Sequence, residues 1–302
     1  MKYISSYRNL WETKELHEKK AILWDRLSAC DLCGHKCGVN RLLNQTGICR
    51  TLDKIKIASY GPHFGEESPL VGKYGSGAIF FSGCNLQCVF CQNWDISQMQ
   101  QGRQISEHEL AKIMLSLQKR GCHNINLVTP THYVPQILSA LIIACEKGLQ
   151  IPIVYNCGGY ESVEVLQTLH GVIDIYMPDV KYANTKYAFE FSGPKDYPDI
   201  MKTSLIEMHK QVGDLVIDKN GIARRGLIIR HLVLPNKLAG TSDIMEFIAN
   251  KISKDSYINI MKQYHPRYRA YDYPLLNRCI TSKEYKEAVQ ITLNAGLKRL
   301  AR

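Results

Sequence analysis

From Ile55 onward the chain alternates six times between apolar runs of strand length and amphipathic runs of helix length. The apolar runs are GSGAIFFSG (75–83), NINLVT (124–129), IPIVYN (151–156), GVIDIYMPDVK (171–181), a long run ending near His231, and YINIM (257–261). Strands buried on both faces read as unbroken apolar runs, which is the mark of a parallel sheet. Between them lie SEHELAKIMLSLQKRG, with a Ser106–Glu109 capping box, the stripe Leu110, Ile113, Met114 and Leu117, and Gly121 as its stop. VPQILSALIIACEKG follows, with Val134, Leu138, Leu141 and Cys145 turned inward. ESVEVLQTLHG, PDIMKTSLIEMHKQVG and TSDIMEFIANKI, the last started by Thr241 or Ser242, continue the pattern, and a final helix is expected from Thr281–Glu284 to the C-terminus. Asn220-Gly221 marks a hairpin. Right-handed strand–helix–strand crossovers then give an α/β fold, a partial (β/α)6 TIM-like barrel.

The pattern divides the chain at about residue 55. Residues 1–55 hold an expected helix at 12–28 (Leu16, Leu23 and Leu27 on one face) and a small cysteine-rich segment; residues 56–302 hold the barrel. In that segment Cys30, Cys33, Cys37 and Cys49 are spaced C-x2-C-x3-C-x11-C, interrupted by Gly34, Gly38 and Gly47. Four thiols this close suit a metal knuckle, either zinc or a second iron–sulfur cluster, since thiolates serve both.

The first barrel strand delivers a second cysteine group, Cys84, Cys88 and Cys91, in FFSGCNLQCVFCQN. Three thiols at C-x3-C-x2-C spacing can wrap three corners of a four-iron cube and leave the fourth iron open. Working residues of parallel barrels sit at the C-terminal strand ends. Those ends carry Thr129-Pro130-Thr131-His132, Asn156-Cys157, Asp179 and Lys181, Arg230 and His231, and Met261, Gln263 and Tyr264. His132 reads equally well as a structural hydrogen-bonding residue, and Cys157 and Tyr264 read more readily as packing residues.

The 302 residues carry eleven cysteines and a formal charge of +10, with basic pairs scattered along the chain. The cysteines, with no apolar signal core at the N-terminus, point to metal or redox chemistry rather than disulfides. No apolar run reaches the ~18 residues of a membrane span, so a cytoplasmic location and no membrane partner are expected. The charge fits a solvated surface best and makes nucleic acid an unfavoured partner.

FFSGCNLQCVFCQN resembles the signature of the radical S-adenosylmethionine (SAM) superfamily. With INLVTPTHY, YNCGGY, PDVKY, IRHLVLP and NIMKQY, the surroundings are similar to the activating enzymes of glycyl radical enzymes, especially the pyruvate formate-lyase activating enzyme homologues. The resemblance implies that Cys84, Cys88 and Cys91 hold a [4Fe–4S] cluster whose free iron chelates SAM. Reductive cleavage of SAM would then give a 5′-deoxyadenosyl radical, which takes hydrogen from a substrate such as a glycine of a partner protein. It also implies a donor such as flavodoxin or ferredoxin. Phe90 falls where the superfamily places an aromatic beside adenine. Thr129 falls where many relatives have Gly-Gly-Glu, Asn156 at a SAM-contacting polar position, Asp179 and Lys181 at an Asp-x-Lys that touches SAM, and Arg230 and His231 near cofactor and substrate. The alternative substrates are a peptide, a tRNA or a small metabolite. A non-catalytic structural zinc protein would account for residues 30–49 but leaves Cys84, Cys88 and Cys91 one ligand short.

Overall fold

The structure is a computed structural model that describes residues 4–301. The expected N-terminal helix is two, α1 (Tyr7–Glu12) and α2 (Glu15–Asp25), because Lys14 between them adopts a left-handed φ of 68°. Residues 26–54 are irregular apart from a 3₁₀ turn at Arg41–Leu43, where the Asn40 side chain accepts the N–H groups of Leu42 and Leu43. Then come β1 (Ile55–His63), α3 (Ser68–Val71), β2 (Ser76–Phe81), α4 (Trp94–Ser97), β3 (Arg103–Ile105) and α5 (Glu107–Lys119). The middle of the chain gives β4 (Ile125–Val128), α6 (Val134–Glu146), β5 (Ile153–Cys157), α7 (Val163–Thr168), β6 (Ile175–Pro178), α8 (Thr185–Ser192) and α9 (Tyr197–Val212). The last elements are β7 (Val216–Ile217), β8 (Ala223–Leu232), α10 (Thr241–Phe247), β9 (Tyr257–Met261) and α11 (Ser282–Asn294).

Strands β2, β4, β5, β6, β8 and β9 are parallel neighbours in that order, the six expected from the apolar runs. β7 and β8 form the hairpin at Asn220-Gly221. Two antiparallel strands, β1 and β3, extend the sheet beyond β2. They escape sequence reading because β1 contains Gly61 and Pro62 and is half exposed, as an edge strand permits. Helix α11 stops at Asn294; the chain then returns, and Leu300 bridges Ile258 on β9. The expected run of that helix to the C-terminus is therefore corrected. α5 has its Ser106 N-cap, but Glu109 pairs with Arg103 rather than closing the box.

Period-two alternation sorts the strand residues. Val154, Ile175, Met177, Ile228 and Tyr257 face inward and pack with Leu70 of α3. Tyr155, Tyr176, Ile229 and Ile258 face outward against the helical layer. Among the described residues β9 pairs with no strand on the β2 side, so the barrel is open. Residues 64–71 enter that opening. Glu67 accepts from Asn259 of β9 at 2.8 Å, and the Leu70 carbonyl accepts from Asn124 beside β4 at 2.9 Å. The segment plugs the lumen from outside the strand–helix repeat.

Candidate active site at the strand ends

Continuing each inward stripe toward the C-terminal end changes it from apolar to polar. Val154 is followed by Asn156, Met177 by Asp179, Ile228 by Arg230 and Tyr257 by Asn259. A cavity of about 260 Å³ opens over this polar layer. Its lining includes Cys84, Cys88 and Cys91 from the loop after β2, and Thr129, Asn156, Asp179, Lys181 and Arg230 from four further strand ends. Phe90 joins the lining, with its ring centroid 5.8 Å from that of Tyr264 and 6.3 Å from that of Tyr182.

Two of the three thiols accept from a donor and the third lies beside a hydroxyl. Leu86 N–H donates to Cys84 Sγ (3.3 Å), Ser192 Oγ–H donates to Cys88 Sγ (2.9 Å), and Ser97 Oγ lies 3.1 Å from Cys91 Sγ. Burial raises all three thiol pKa values, and the Lys181 ammonium opposes that shift at each. Donors and a cation around sulfur favour the thiolate form that a metal cluster requires, so the donor set fits the group. Among the described residues no three His, Cys, Asp or Glu side chains gather closely enough for one metal ion. Cys84, Cys88 and Cys91 share a cavity wall rather than a point.

Opposite the thiols lies a half-buried ionic network. Asp179 accepts from Lys181 Nζ (2.8 Å) and from Arg230 Nε (2.8 Å) and Nη2 (2.7 Å). Arg230 Nη2 also donates to Asn156 Oδ1 (2.8 Å), fixing that amide. Burial alone would raise the Asp179 carboxyl, but Arg230 and Lys181 hold it below the usual carboxylate range. Burial likewise opposes the charge on Lys181, and Asp179 more than restores it. Thr129 has φ +59°, uncommon for a β-branched residue, and its N–H donates to the Asn156 carbonyl at 2.8 Å.

His231 is the exception. Adjacent to Arg230 on β8, it points to the opposite face of the sheet. Its Nδ1 lies 2.8 Å from the Val180 carbonyl and its Nε2 3.0 Å from Thr241 Oγ1. Burial pushes it down to about 4, so it is neutral and structural, and it does not line the cavity. Tyr264 is also turned to packing, its hydroxyl on the Leu276 carbonyl at 2.7 Å. Cys157 does line the cavity.

Sequence reasoning missed Glu66 and Glu67. Glu66 Oε1 takes Arg230 Nη1 at 3.2 Å, and its Oε2 takes Asn126 Nδ2 at 2.9 Å. Glu67 is buried, and burial raises its carboxyl pKa. Both line a second cavity of about 620 Å³ that shares Asn156, Arg230, Met261 and Gln263 with the first. An acidic pair between Gly65 and Ser68-Pro69, just ahead of a buried strand, was the available signal.

A family model described as the radical SAM superfamily matches residues 78–248. The chain is 37% identical over 275 residues to the uncharacterized protein MJ0674 of Methanocaldococcus jannaschii, covering 87% of this chain and 73% of that one. A second uncharacterized protein of that organism, MJ0808, is 22% identical over 285 residues, covering 85% and 77%. Crystal structures of Streptococcus suis SuiB bound to precursor peptide SuiA and bound to S-adenosylmethionine are similar at TM-scores of 0.49 and 0.48, with 16% and 14% identity and 72% of this chain covered. The chain spans less than half of SuiB, 46% and 47% in the two structures. The family match extends over more than half of the 302 residues and begins in the strand that presents the three cysteines: the chain belongs to the radical SAM superfamily.

Proposed function

We propose that Cys84, Cys88 and Cys91 hold the family's [4Fe–4S] cluster and that SAM lies in the cavity facing them. The observation that carries this is one cavity lined by all three thiols and by Asn156, Asp179, Lys181 and Arg230. When bound, the cluster supplies the electron that splits a carbon–sulfur bond of SAM, giving a 5′-deoxyadenosyl radical able to take hydrogen from a substrate. The chain's own residues bind and orient. Lys181, pinned by Asp179, offers a cation to the SAM carboxylate. Asn156, held by Arg230, presents its amide to the ribose or methionine end. Phe90 offers an apolar face to adenine, and Thr129 stands where relatives use Gly-Gly-Glu for the amino group. Leu86, Val128, Leu232 and Met261 make the wall that keeps water away. Family membership displaces the non-catalytic zinc reading.

For the substrate we read a glycine of a partner protein, with a flavodoxin or ferredoxin as reductant. The support is the run of motifs from YNCGGY to NIMKQY, similar to the activating enzymes, together with the second cavity as a way in for a peptide loop. The test is anaerobic incubation with SAM, dithionite and a synthetic glycine-loop peptide deuterated at the glycine α-carbon. Deuterium in the 5′-deoxyadenosine is expected. Cleavage of SAM with no deuterium transfer overturns the glycine reading, and no cleavage at all overturns the radical SAM assignment of this cavity.

A further inference from the structure

The second cavity, of about 620 Å³, lies between the plug at residues 64–71 and the end of β9. It shares Asn156 and Arg230 with the first cavity, while Glu66 and Glu67 line the second and not the first. The charges at this junction do not balance. Three carboxylates, Asp179, Glu66 and Glu67, meet two enclosed cations, Arg230 and Lys181. Asp179 holds both cations, Arg230 at 2.7 Å and Lys181 at 2.8 Å, and Glu66 takes Arg230 at 3.2 Å. Glu67 is only 7% exposed, yet among the described residues it is in no ion pair. His63 and Lys262 also line the cavity, but both are exposed, where solvent screens them. Burial raises the Glu67 carboxyl pKa; Asn259 and Arg230 oppose the shift, and the charges of Glu66 and Asp179 add to it. A carboxylate so far out of water is costly until a cation meets it.

Hydrogen bonding points the same way. The Glu67 carbonyl accepts from Leu70 N–H at 2.8 Å, so the plug's own turn fixes the backbone that carries this side chain. Glu67 Oε1 accepts from Asn259 Nδ2 at 2.8 Å, and its Oε2 meets no donor among the described residues. Asn126 on β4 is in register with inward-facing Val154 of β5 and is 0% exposed. Its Nδ2 donates to Glu66 Oε2 at 2.9 Å, and because a carboxylate only accepts, the amide cannot be turned round. Asn126 Oδ1 is therefore left buried on the inward face without a partner. Asn156 Nδ2, at 3.4 Å, and Arg230 Nη1 are directed at Glu66 as well. The wall turns these donors onto Glu66 and leaves acceptors and one negative charge over. A group that is positive and only donates, an ammonium or a guanidinium, completes it. A phosphate or a carboxylate would face three carboxylates. The amino group of SAM belongs to the first cavity, which neither Glu66 nor Glu67 lines.

We propose that Glu67 is the specificity residue of the second cavity, and that the substrate it selects carries a lysine or arginine side chain close to the carbon that gives up hydrogen. This rests on the reading of that cavity as the way in for a peptide loop. The cationic group takes the open Oε2 of Glu67, and Glu66, already bound to Arg230, adds to the negative field that favours it. Selection acts through binding alone, and no bond of the substrate is made or broken at Glu67.

The test measures binding of synthetic peptides to the full-length protein reconstituted anaerobically with iron, sulfide and SAM. Each peptide has one α-deuterated glycine among alanines. A single lysine, norleucine or glutamate is placed in turn at each position within two residues of that glycine. At one position or more, lysine should bind roughly tenfold tighter than norleucine, about 1.4 kcal/mol, with glutamate weaker than both. In Glu67→Gln, whose amide oxygen can still accept from Asn259, the lysine preference should vanish. Glu67→Asp draws the charge back by one methylene and should keep part of the preference; it stands in if melting shows that Glu67→Gln does not fold. Equal affinity of the three peptides at every position overturns the proposal, as does a lysine preference undiminished in the folded variants. Deuterium in 5′-deoxyadenosine, read from the same mixtures, judges the glycine reading separately. A lysine preference that depends on Glu67 without deuterium transfer leaves the cation site standing and removes glycine as the target.

Discussion

Cys84, Cys88 and Cys91 hang from the end of a fully framed strand and look into a cavity, whereas Cys30, Cys33, Cys37 and Cys49 sit in a segment almost without regular structure and outside that cavity. At the first set the neighbouring charge is Lys181, itself tied to Asp179 in the largely enclosed wall of the cavity. At the second it is Arg41, enclosed and, among the described residues, in no ion pair with a carboxylate. The difference is one of exposure to a reactant. Three thiols on a strand end face a chamber with room for a small molecule, and none of the four N-terminal thiols lines it.

The sharpest way to break the contrast is Cys84→Ala, which should reduce 5′-deoxyadenosine formation to the uncatalysed background, read by chromatography after anaerobic turnover. Next comes Asp179→Asn. It leaves Arg230 and Lys181 buried together without their shared anion, so a stability loss of about 3–5 kcal/mol and a marked weakening of SAM binding are expected, by denaturant melts and calorimetry. An unchanged SAM affinity would remove the network from the cofactor site. Glu66→Gln takes away the second anion on Arg230 but keeps its hydrogen-bonding shape. A cost of about 1–3 kcal/mol in SAM or substrate binding follows, and no effect on either would return the plug to a purely structural part.

His231 probes the outward face of the same strand. Its folded pKa of about 4 lies below the ordinary 6.5. The unfolded chain therefore takes up a proton first, and this contribution to stability is complete above about pH 6.5 and lost as pH falls toward 4. His231→Asn should flatten the acid limb of a melting-temperature profile over that window while SAM affinity stays put. A loss of affinity would place the residue in the site after all. The smallest effect is expected from Ser192→Ala. Removing one donor to Cys88 should cost about 1 kcal/mol and lower the midpoint potential of the cluster at that loop.

The six parallel strands could be read from the chain because burial on both faces writes itself as uninterrupted apolar sequence, and the polar residues that end each run were legible by contrast. Arg230 and His231 show where that reading fails: neighbours on a strand face opposite sides, and an apolar run gives no sign of which parity is inside. Counting back from Asp179 through Met177 and Ile175 would have assigned the inward parity on β6, but the offset between β6 and β8 is set by pairing, at Ile175↔Gly226. Glu66 and Glu67 were invisible for another reason. Glu66 meets Arg230 across 164 residues of chain and Glu67 meets Asn259 across 192, both from a loop outside the strand–helix repeat. No periodicity connects an acidic pair before the first barrel strand to an arginine on the fifth.

That origin has a consequence for how such an enzyme can change. The lumen plug is spliced in ahead of β2, so its length and chemistry can vary without shifting any register among the parallel strands that hold Asn156, Asp179 and Arg230. Cofactor handling and the shape of the chamber beside it are thereby encoded in separate stretches of chain. One can drift toward new substrates while the other stays fixed.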